Sequence, residues 1–231
     1  EDKTVHAPPD LIVSGLALDS RKVEEGFLFF ALPGEKEDGG EFIAEAKARG
    51  AACAVCEHPP ETEIPYILVP DAHKALALCA AVWYGTPAGK LTVVGVTGTN
   101  GKTTTTYLIK QLLERTKGAK VGLIGTNQNL ISDKTIPTDR TTPDALTVQR
   151  LLAQMVDTGC TYAVMEVSSH ALMQSRVEGI RFCVGVFTNL TQDHLDYHGT
   201  MEAYCDAKSR LFDQCDIACV NGDDAWTERL L

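Results

Sequence analysis

The chain is short of basic charge: Lys and Arg number 21 against 31 Asp and Glu, a net charge of −10. No broad cationic surface is available to neutralise phosphates, which argues against a general nucleic-acid binder. Long apolar runs are missing too. The longest, Ala75 to Tyr84, falls far short of the roughly 20 residues that a membrane-spanning helix needs. The opening Glu1-Asp2-Lys3-Thr4 has no basic segment leading into an apolar one, so secretion and membrane insertion are not expected and the chain reads as cytoplasmic. There is no internal repeat and no low-complexity tract.

Cysteine is present at eight positions: 53, 56, 79, 160, 183, 205, 215 and 219. Cys53 and Cys56 form a CxxC pair, but alternation along a strand points positions i and i+3 to opposite faces. No second CxxC or CxxH sits at zinc-ribbon spacing. The pattern fits buried, reduced thiols. With 44% hydrophobic and 23% charged residues, the composition is that of an ordinary globular protein. A length of 231 residues allows one large domain or two small ones, at roughly 100–200 residues each.

Apolar, β-rich runs alternate with amphipathic helical patterns, which predicts an α/β class with largely parallel sheets. Strands are expected at 15–18, 27–32, 51–56 and 66–69, with helices over 41–49 and from Asp71 to Tyr84. Gly50 stands where a left-handed helix end wants glycine, and Asp71 is an N-cap. The breakers Gly85-Thr86-Pro87-Ala88-Gly89 mark a domain boundary, giving domains 1–87 and 88–231. The second is expected to hold strands at 91–96, 120–124, 162–167, 182–190 and 217–220. Helices are expected over 103–115, 144–158, 170–175 and 200–215, with a polar stretch over 126–142.

The strongest chemical signal is Val93-Val94-Gly95-Val96-Thr97-Gly98-Thr99-Asn100-Gly101-Lys102-Thr103-Thr104. A buried strand feeds a glycine-rich loop, and Lys102-Thr103 opens a helix. Such a loop turns backbone N–H groups inward onto phosphate oxygens, and the helix N-terminus adds its positive end. Lys102 would reach the β/γ-phosphates and the Thr103 hydroxyl would ligate Mg²⁺. The strict motif wants glycine where Val96 stands. The context still predicts a nucleoside triphosphate site.

Two further clusters end predicted strands, where ligands of open parallel sheets collect. In Met165-Glu166-Val167-Ser168-Ser169-His170, Glu166 could be a second Mg²⁺ ligand. A polar strand end capping the next helix through Ser168 or Ser169 would look the same. In Thr188-Asn189-Leu190-Thr191-Gln192-Asp193-His194-Leu195-Asp196-Tyr197-His198-Gly199, Asp and His could hold a metal or orient a phosphoryl group, or form a solvated loop. Lys208 lies on an amphipathic helix and by itself reads as a surface lysine.

Gly98-Thr-Asn-Gly-Lys-Thr, Thr141-Thr-Pro-Asp, Glu166-Val-Ser-Ser-His-Ala-Leu, Thr188 to Gly199, and Ala207-Lys208 together resemble the Mur ligase family, in the family's order. Leu18-Asp19-Ser20-Arg21 fits the same family's first domain. The resemblance implies an ATP-dependent, ADP-forming carbon–nitrogen ligase of peptidoglycan (cell wall) synthesis. The second and third clusters narrow it to the member that adds the third amino acid, meso-diaminopimelate or L-lysine, to UDP-N-acetylmuramoyl-L-alanyl-D-glutamate. The first domain would hold the uridine nucleotide, with Leu18, Ser20 and the Glu35-Lys36-Glu37 loop alongside. Gly98, Thr99, Asn100, Gly101, Lys102, Thr103 and Thr104 would bind ATP. Thr141, Thr142, Ser168, Gln174 and Arg176 would contact the UDP-MurNAc-peptide. Thr103 and Glu166 would ligate one Mg²⁺, and His194 a second. Lys208 would carry CO₂ as a carbamate, turning a cation that repels metal into an anion that binds it.

The family's third domain, which binds the incoming amino acid, has no counterpart here, and the second is expected to be incomplete. The chain therefore reads as an N-terminal fragment, monomeric, able to bind and scarcely able to ligate. Three other readings stay open: a relative of folylpolyglutamate synthase or cyanophycin synthetase, a plain P-loop kinase or NTPase, and a non-catalytic module that binds the nucleotide precursor.

Overall fold

The computed structural model describes residues 3–34 and 37–230. The chain divides into two compact units, Glu1–Ala80 and Ala81–Leu231.

The first unit is a five-stranded sheet in the order β1-β5-β4-β3-β2. Its strands are β1 (Thr4–His6), β2 (Gly15–Ala17), β3 (Phe27–Phe30), β4 (Cys53–Cys56) and β5 (Tyr66–Leu68). Strands β2 to β5 run parallel, and β1 adds an antiparallel edge. That three-residue edge, just ahead of Pro8-Pro9, is too short to show a period in the sequence. Helix α1 (Ile43–Ala48) buries Ile43 and Ala46 against Phe29, Ala54 and Cys56. Gly50 follows it at φ 102°. Helix α2 (Ala72–Trp83) starts where Asp71 accepts from the Lys74 N–H at 2.8 Å. The eight cysteines are free thiols, and burial pushes Cys53 up to about 11.

The second unit carries a seven-stranded sheet in the order β12-β11-β6-β10-β7-β8-β9. Five strands are parallel: β6 (Thr92–Thr97), β7 (Val121–Ile124), β10 (Tyr162–Glu166), β11 (Phe182–Phe187) and β12 (Cys215–Val220). The inner strands β6, β7 and β10 are near-continuously apolar and buried, as strands covered on both faces require, whereas the edge strand β12 is largely exposed. An antiparallel hairpin, β8 (Asn129–Ile131) and β9 (Lys134–Ile136), extends the far edge. It lies in the expected polar stretch, its alternation being only three residues long on each side.

Helix α3 (Lys102–Lys117) follows β6, and α4 (Ala145–Asp157) opens at Asp144, which accepts from the Thr147 N–H at 2.9 Å. Helices α5 (Ser169–Met173), α6 (Leu195–His198), α7 (Met201–Ser209) and α8 (Thr227–Leu230) complete the unit. The single helix expected over 200–215 stops at Ser209. Tyr204 and Cys205 pack with Phe187 and Leu190, whereas Leu211 belongs to the main core with Phe182 and Val93. A 3-10 turn over Phe212–Gln214 follows, and Phe212 packs against both clusters.

Register decides where the chemistry goes. Glu166 of β10 sits opposite Val96, and Phe187 of β11 sits opposite Thr97. All three strands therefore end together around the loop after β6. No helix among the described residues is long and apolar enough to cross a membrane.

Leu152 of α4 is fully buried in the main core. We expect Leu152→Ala to cost the second unit about 2–5 kcal/mol. Trp226 packs against a cluster of that unit, whereas Trp83 ends α2, which begins in the first unit, so denaturant unfolding followed by tryptophan fluorescence in a Trp83→Phe background reads the second unit.

Candidate active site at the ends of the central strands

The loop after β6 is held in a shape that only glycine permits at its first turn. Gly98 has φ 140°, and a Cβ there would lie 2.0 Å from Thr188 Oγ1. The segment after β11 straps the loop down. Thr188 Oγ1 donates to the Asn100 carbonyl at 2.7 Å, and Asn189 Oδ1 accepts from the Asn100 N–H at 3.0 Å. Thr99 Oγ1 accepts from the Thr191 N–H at 3.0 Å. The start of the third sequence cluster is thus built structure rather than a solvated loop.

Two lysines converge on this loop. Lys102, the first residue of α3, donates to the carbonyls of Gly98 at 2.9 Å and Thr99 at 2.8 Å. Lys208 of α7 donates to the same Gly98 carbonyl at 2.9 Å. It is 1% exposed, not a surface lysine, and its Nζ lies 4.4 Å from the centre of the Tyr204 ring. Burial lowers the proton affinity of both. Lys208 comes down from 10.5 to about 7, through burial first and the Lys102 charge second. Lys102 also falls, through burial, with Glu166 and Asp193 opposing.

Glu166 is 1% exposed and anchored at both oxygens: Oε1 accepts from the Thr126 N–H and Oε2 from the Thr126 hydroxyl, each at 3.0 Å. A Cβ on Gly125 would stand 2.4 Å from Oε1, so the chain can pass this close only as glycine. Thr142 ties the neighbouring segments together. Its hydroxyl donates to the Glu166 carbonyl at 2.8 Å and accepts from the Ser168 N–H at 3.1 Å. With its proton given to Glu166, Thr126 Oγ1 accepts from the Thr141 hydroxyl at 3.0 Å. Ser168 caps α5 by accepting from the Ala171 N–H at 3.2 Å. Arg176 donates to the Thr142 carbonyl at 2.8 Å and to Gln174 Oε1 at 2.6 Å. Burial first, then nearby Arg140, lowers its proton affinity.

His194 stands in the left-handed region at φ 51°. Its ring meets His170 edge-on at 5.0 Å and Tyr204 at 6.1 Å, and its Nε2 is 3.5 Å from Asp193 Oδ2. His198 stacks on Tyr204 at 4.9 Å and 29°, with Nε2 2.9 Å from Ser169 Oγ. Burial, then His170 and Lys208, hold His198 down at about 4, so it is neutral at physiological pH. Among the described residues no three His, Cys, Asp or Glu side chains form a metal nest. Magnesium does not need one, because it keeps waters and phosphates and takes one or two protein oxygens. An anchored, buried carboxylate such as Glu166 suits that ion.

In the first unit, Leu18, Ser20 and Glu37 line one cavity of about 480 Å³ with Asp19, Arg21 and Glu45. Ser20 donates to Glu45 Oε2 at 2.7 Å, which with Arg49 and Arg21 helps hold Glu45 below the usual carboxylate range. Glu35 and Lys36, expected in the same loop, lie outside the described residues. Sequence reasoning missed Thr126, Tyr204 and Glu45. Thr126 and Glu45 sit among ordinary polar residues, and only the position of Tyr204 four residues before Lys208 could have flagged one of them.

The profile of the Mur ligase middle domain matches residues 96–231, and that of the Mur ligase family catalytic domain matches residues 12–84. The chain belongs to the Mur ligase family. It is 52% identical over 206 residues to the UDP-N-acetylmuramoyl-L-alanyl-D-glutamate–2,6-diaminopimelate ligase of Geobacillus kaustophilus, covering 89% of this chain and 42% of that protein. It is 50% identical over 228 residues to the enzyme of the same name from Gloeobacter violaceus, covering 96% and 46%. A solved structure of a ligase with that name superposes with a TM-score of 0.81 at 35% identity, covering 94% of this chain and 45% of that one. The chain thus spans about half the length of the curated relatives it matches.

The Lys208 shift has a consequence for stability. Between about pH 7 and 10.5 the unfolded chain holds a proton on Lys208 that the folded chain releases. This group's contribution to stability therefore rises with pH across that window and is most unfavourable below it. We expect Lys208→Met to be more stable than the unsubstituted chain at pH 6.5, with the advantage shrinking toward pH 10. Denaturant midpoints in CO₂-free buffer without nucleotide will show it.

Proposed function

We propose that the protein carrying this chain is an ATP-dependent, ADP-forming ligase of peptidoglycan synthesis. It joins the third amino acid to UDP-N-acetylmuramoyl-L-alanyl-D-glutamate. The relatives named for 2,6-diaminopimelate favour that amino acid over L-lysine. Residues 1–87 would hold the uridine nucleotide, with Leu18, Ser20 and Glu37 at the cavity, and residues 88–231 would hold ATP. The observation that carries this reading is the convergence of Lys102 and Lys208 on the Gly98 carbonyl, within the electrostatic reach of an anchored, buried Glu166 on Lys102.

The chain's residues divide the work. Backbone N–H groups from Gly98 to Thr104 and the α3 N-terminus cradle the triphosphate. Lys102 leaves its two carbonyls and turns to the β/γ-phosphates, exchanging two hydrogen bonds for charge-assisted ones. Arg176, braced by Gln174 and Thr142, orients the peptide with Thr141 and Ser168 so that its free carboxylate meets the γ-phosphoryl group in line. That carboxylate becomes an acyl phosphate and ADP leaves. The amine of the incoming amino acid then displaces phosphate to form the amide.

Thr103 and Glu166 are the residues that would hold one Mg²⁺, and His194 with a Lys208 carbamate a second. Bound Mg²⁺ supplies charge neutralisation for the transferring phosphoryl group. A buried Lys208 with its proton affinity near 7 offers the neutral amine that CO₂ requires.

Two measurements test the reading. In the full-length ligase, Lys102→Ala should abolish acyl-phosphate formation, and retained activity would overturn the assignment. Calorimetric titration of this chain with UDP-N-acetylmuramoyl-L-alanyl-D-glutamate should show saturable binding, weakened about 10-fold or more by Arg176→Ala, as loss of a charged hydrogen-bond partner implies. If the folded chain and the full-length protein both fail to bind, the substrate is wrong.

A further inference from the structure

A second layer of hydrogen bonds stands behind the clamp on the loop after β6. Thr188, Asn189 and Thr191 bind that loop directly. The turn after β12, over 221–224, holds the same segment from its other side. Asn221 Nδ2 donates to the Thr188 carbonyl at 2.9 Å. The Asp224 carboxylate takes two backbone donors, the Leu190 N–H on Oδ2 and the Trp226 N–H on Oδ1, each at 2.9 Å. Leu190 is 4% exposed, so without Asp224 its N–H would lose its partner with little water to replace it. The turn is firm in itself. Asn221 Oδ1 accepts from the Asp223 N–H at 3.1 Å, and the Asn221 carbonyl accepts from the Asp224 N–H at 3.2 Å and from the Thr227 hydroxyl. Leu230 of α8, just beyond, packs with Phe187 and Leu190.

We propose that Asp224, with Asn221, is a positioning residue for the nucleotide. It acts through Leu190 and Thr188 to keep the loop after β6 in its binding shape. This rests on the reading of that loop as the ATP site. The support runs sideways, one loop per strand, across the neighbouring parallel strands β12, β11 and β6. Asp224 holds Leu190, whose neighbour Thr191 bonds Thr99. Asn221 holds Thr188, whose hydroxyl bonds the Asn100 carbonyl. The loop needs outside support, because Gly98 and Gly101 both stand at positive φ, 140° and 83°, and glycine has more backbone freedom to lose than any other residue. The two bonds that Lys102 makes within the loop cannot supply it, since Lys102 exchanges them for phosphate. Those of Asp224 and Asn221 go to the clamp and keep their partners when the loop fills. Without them, apparent nucleotide affinity falls with the fraction of molecules whose loop stays in shape.

The test is calorimetric titration of the full-length ligase with the Mg²⁺ complex of a non-hydrolysable ATP analogue, and separately with UDP-N-acetylmuramoyl-L-alanyl-D-glutamate. Asp224→Ala removes both acceptors and should weaken analogue binding about 5- to 30-fold. Asp224→Asn keeps one acceptor oxygen and should recover part of that loss. Asn221→Asp keeps the acceptor for the Asp223 N–H but turns an acceptor toward the Thr188 carbonyl, and should weaken the analogue about 3- to 10-fold. Affinity for the UDP-linked peptide should stay within about twofold throughout. Arg229→Ala is the control. It breaks the exposed ion pair with Asp206 that ties α8 to α7 and should leave both affinities within about twofold. Should Asp224→Ala not fold, Asp224→Asn and Asn221→Asp carry the test. Unchanged analogue affinity in folded Asp224 and Asn221 variants overturns the proposal and leaves the ATP reading intact. So does an equal loss for both ligands, or an equal effect of Arg229→Ala. Failure of the unsubstituted ligase to bind the analogue overturns the ATP reading and the proposal with it.

Discussion

One carbonyl oxygen organises the candidate active site. Gly98 O accepts from Lys102 and from Lys208, each at 2.9 Å, so the two nitrogens are at most twice that distance apart. Two unit charges this close repel by roughly 3 kcal/mol even at an effective dielectric of about 20. Both are also withdrawn from water. Among the described residues no carboxylate forms an ion pair with either; Glu166 and Asp193 act on Lys102 only from a distance. The loop is therefore a concentration of positive charge that no ion pair among the described residues neutralises, which is the electrostatics the proposed triphosphate site needs. The strain is relieved on one side by Lys208, whose proton affinity falls to about 7.

That carbonyl is available because of how the loop is clamped. With φ at 140° Gly98 lets the loop turn, and Thr188 Oγ1 fills the space a Cβ would take. Thr188, Asn189 and Thr191 then bind the backbone and side chains of Thr99 and Asn100. The clamp comes from the end of β11, one strand away in space but nearly 90 residues on in sequence. Parallel pairing of β6 with β10 and β11 makes this possible, since strands that end together put their following loops side by side.

Much of this was legible in the sequence because the signals were long or chemically unambiguous. The apolar runs of β6, β10 and β11 each end in a polar cluster, and parallel α/β topology gathers such ends. Asp71 and Asp144 stand at helix starts as capping chemistry requires. The failures have physical causes. The β8–β9 hairpin is three residues a side, too short for alternation to register. The period running through Tyr204, Cys205, Lys208 and Leu211 is continuous, yet Tyr204 and Cys205 serve one core and Leu211 another, which periodicity cannot distinguish. Lys208 is the instructive case. On an amphipathic helix a lysine reads as solvated, and only tertiary structure, which brings Gly98 and Tyr204 to it, reveals a buried amine.

The residues shared with the family's motifs separate into two physical kinds. Thr142, Thr188, Asn189 and Gly98 make contacts that fix the shape of the backbone: a hydroxyl between the Glu166 carbonyl and the Ser168 N–H, a threonine where a side chain cannot go. Nothing that binds could replace these without dismantling the loop. Lys102 and Lys208 instead spend their hydrogen bonds on a carbonyl that gains nothing structurally from having two donors. Those bonds are exchangeable, and a phosphate oxygen or a metal-bound anion is a stronger partner for each. A motif match of this length therefore carries two independent kinds of information, one about shape and one about charge. They agree here because the clamp that shapes the loop also presents the carbonyl on which both lysines wait.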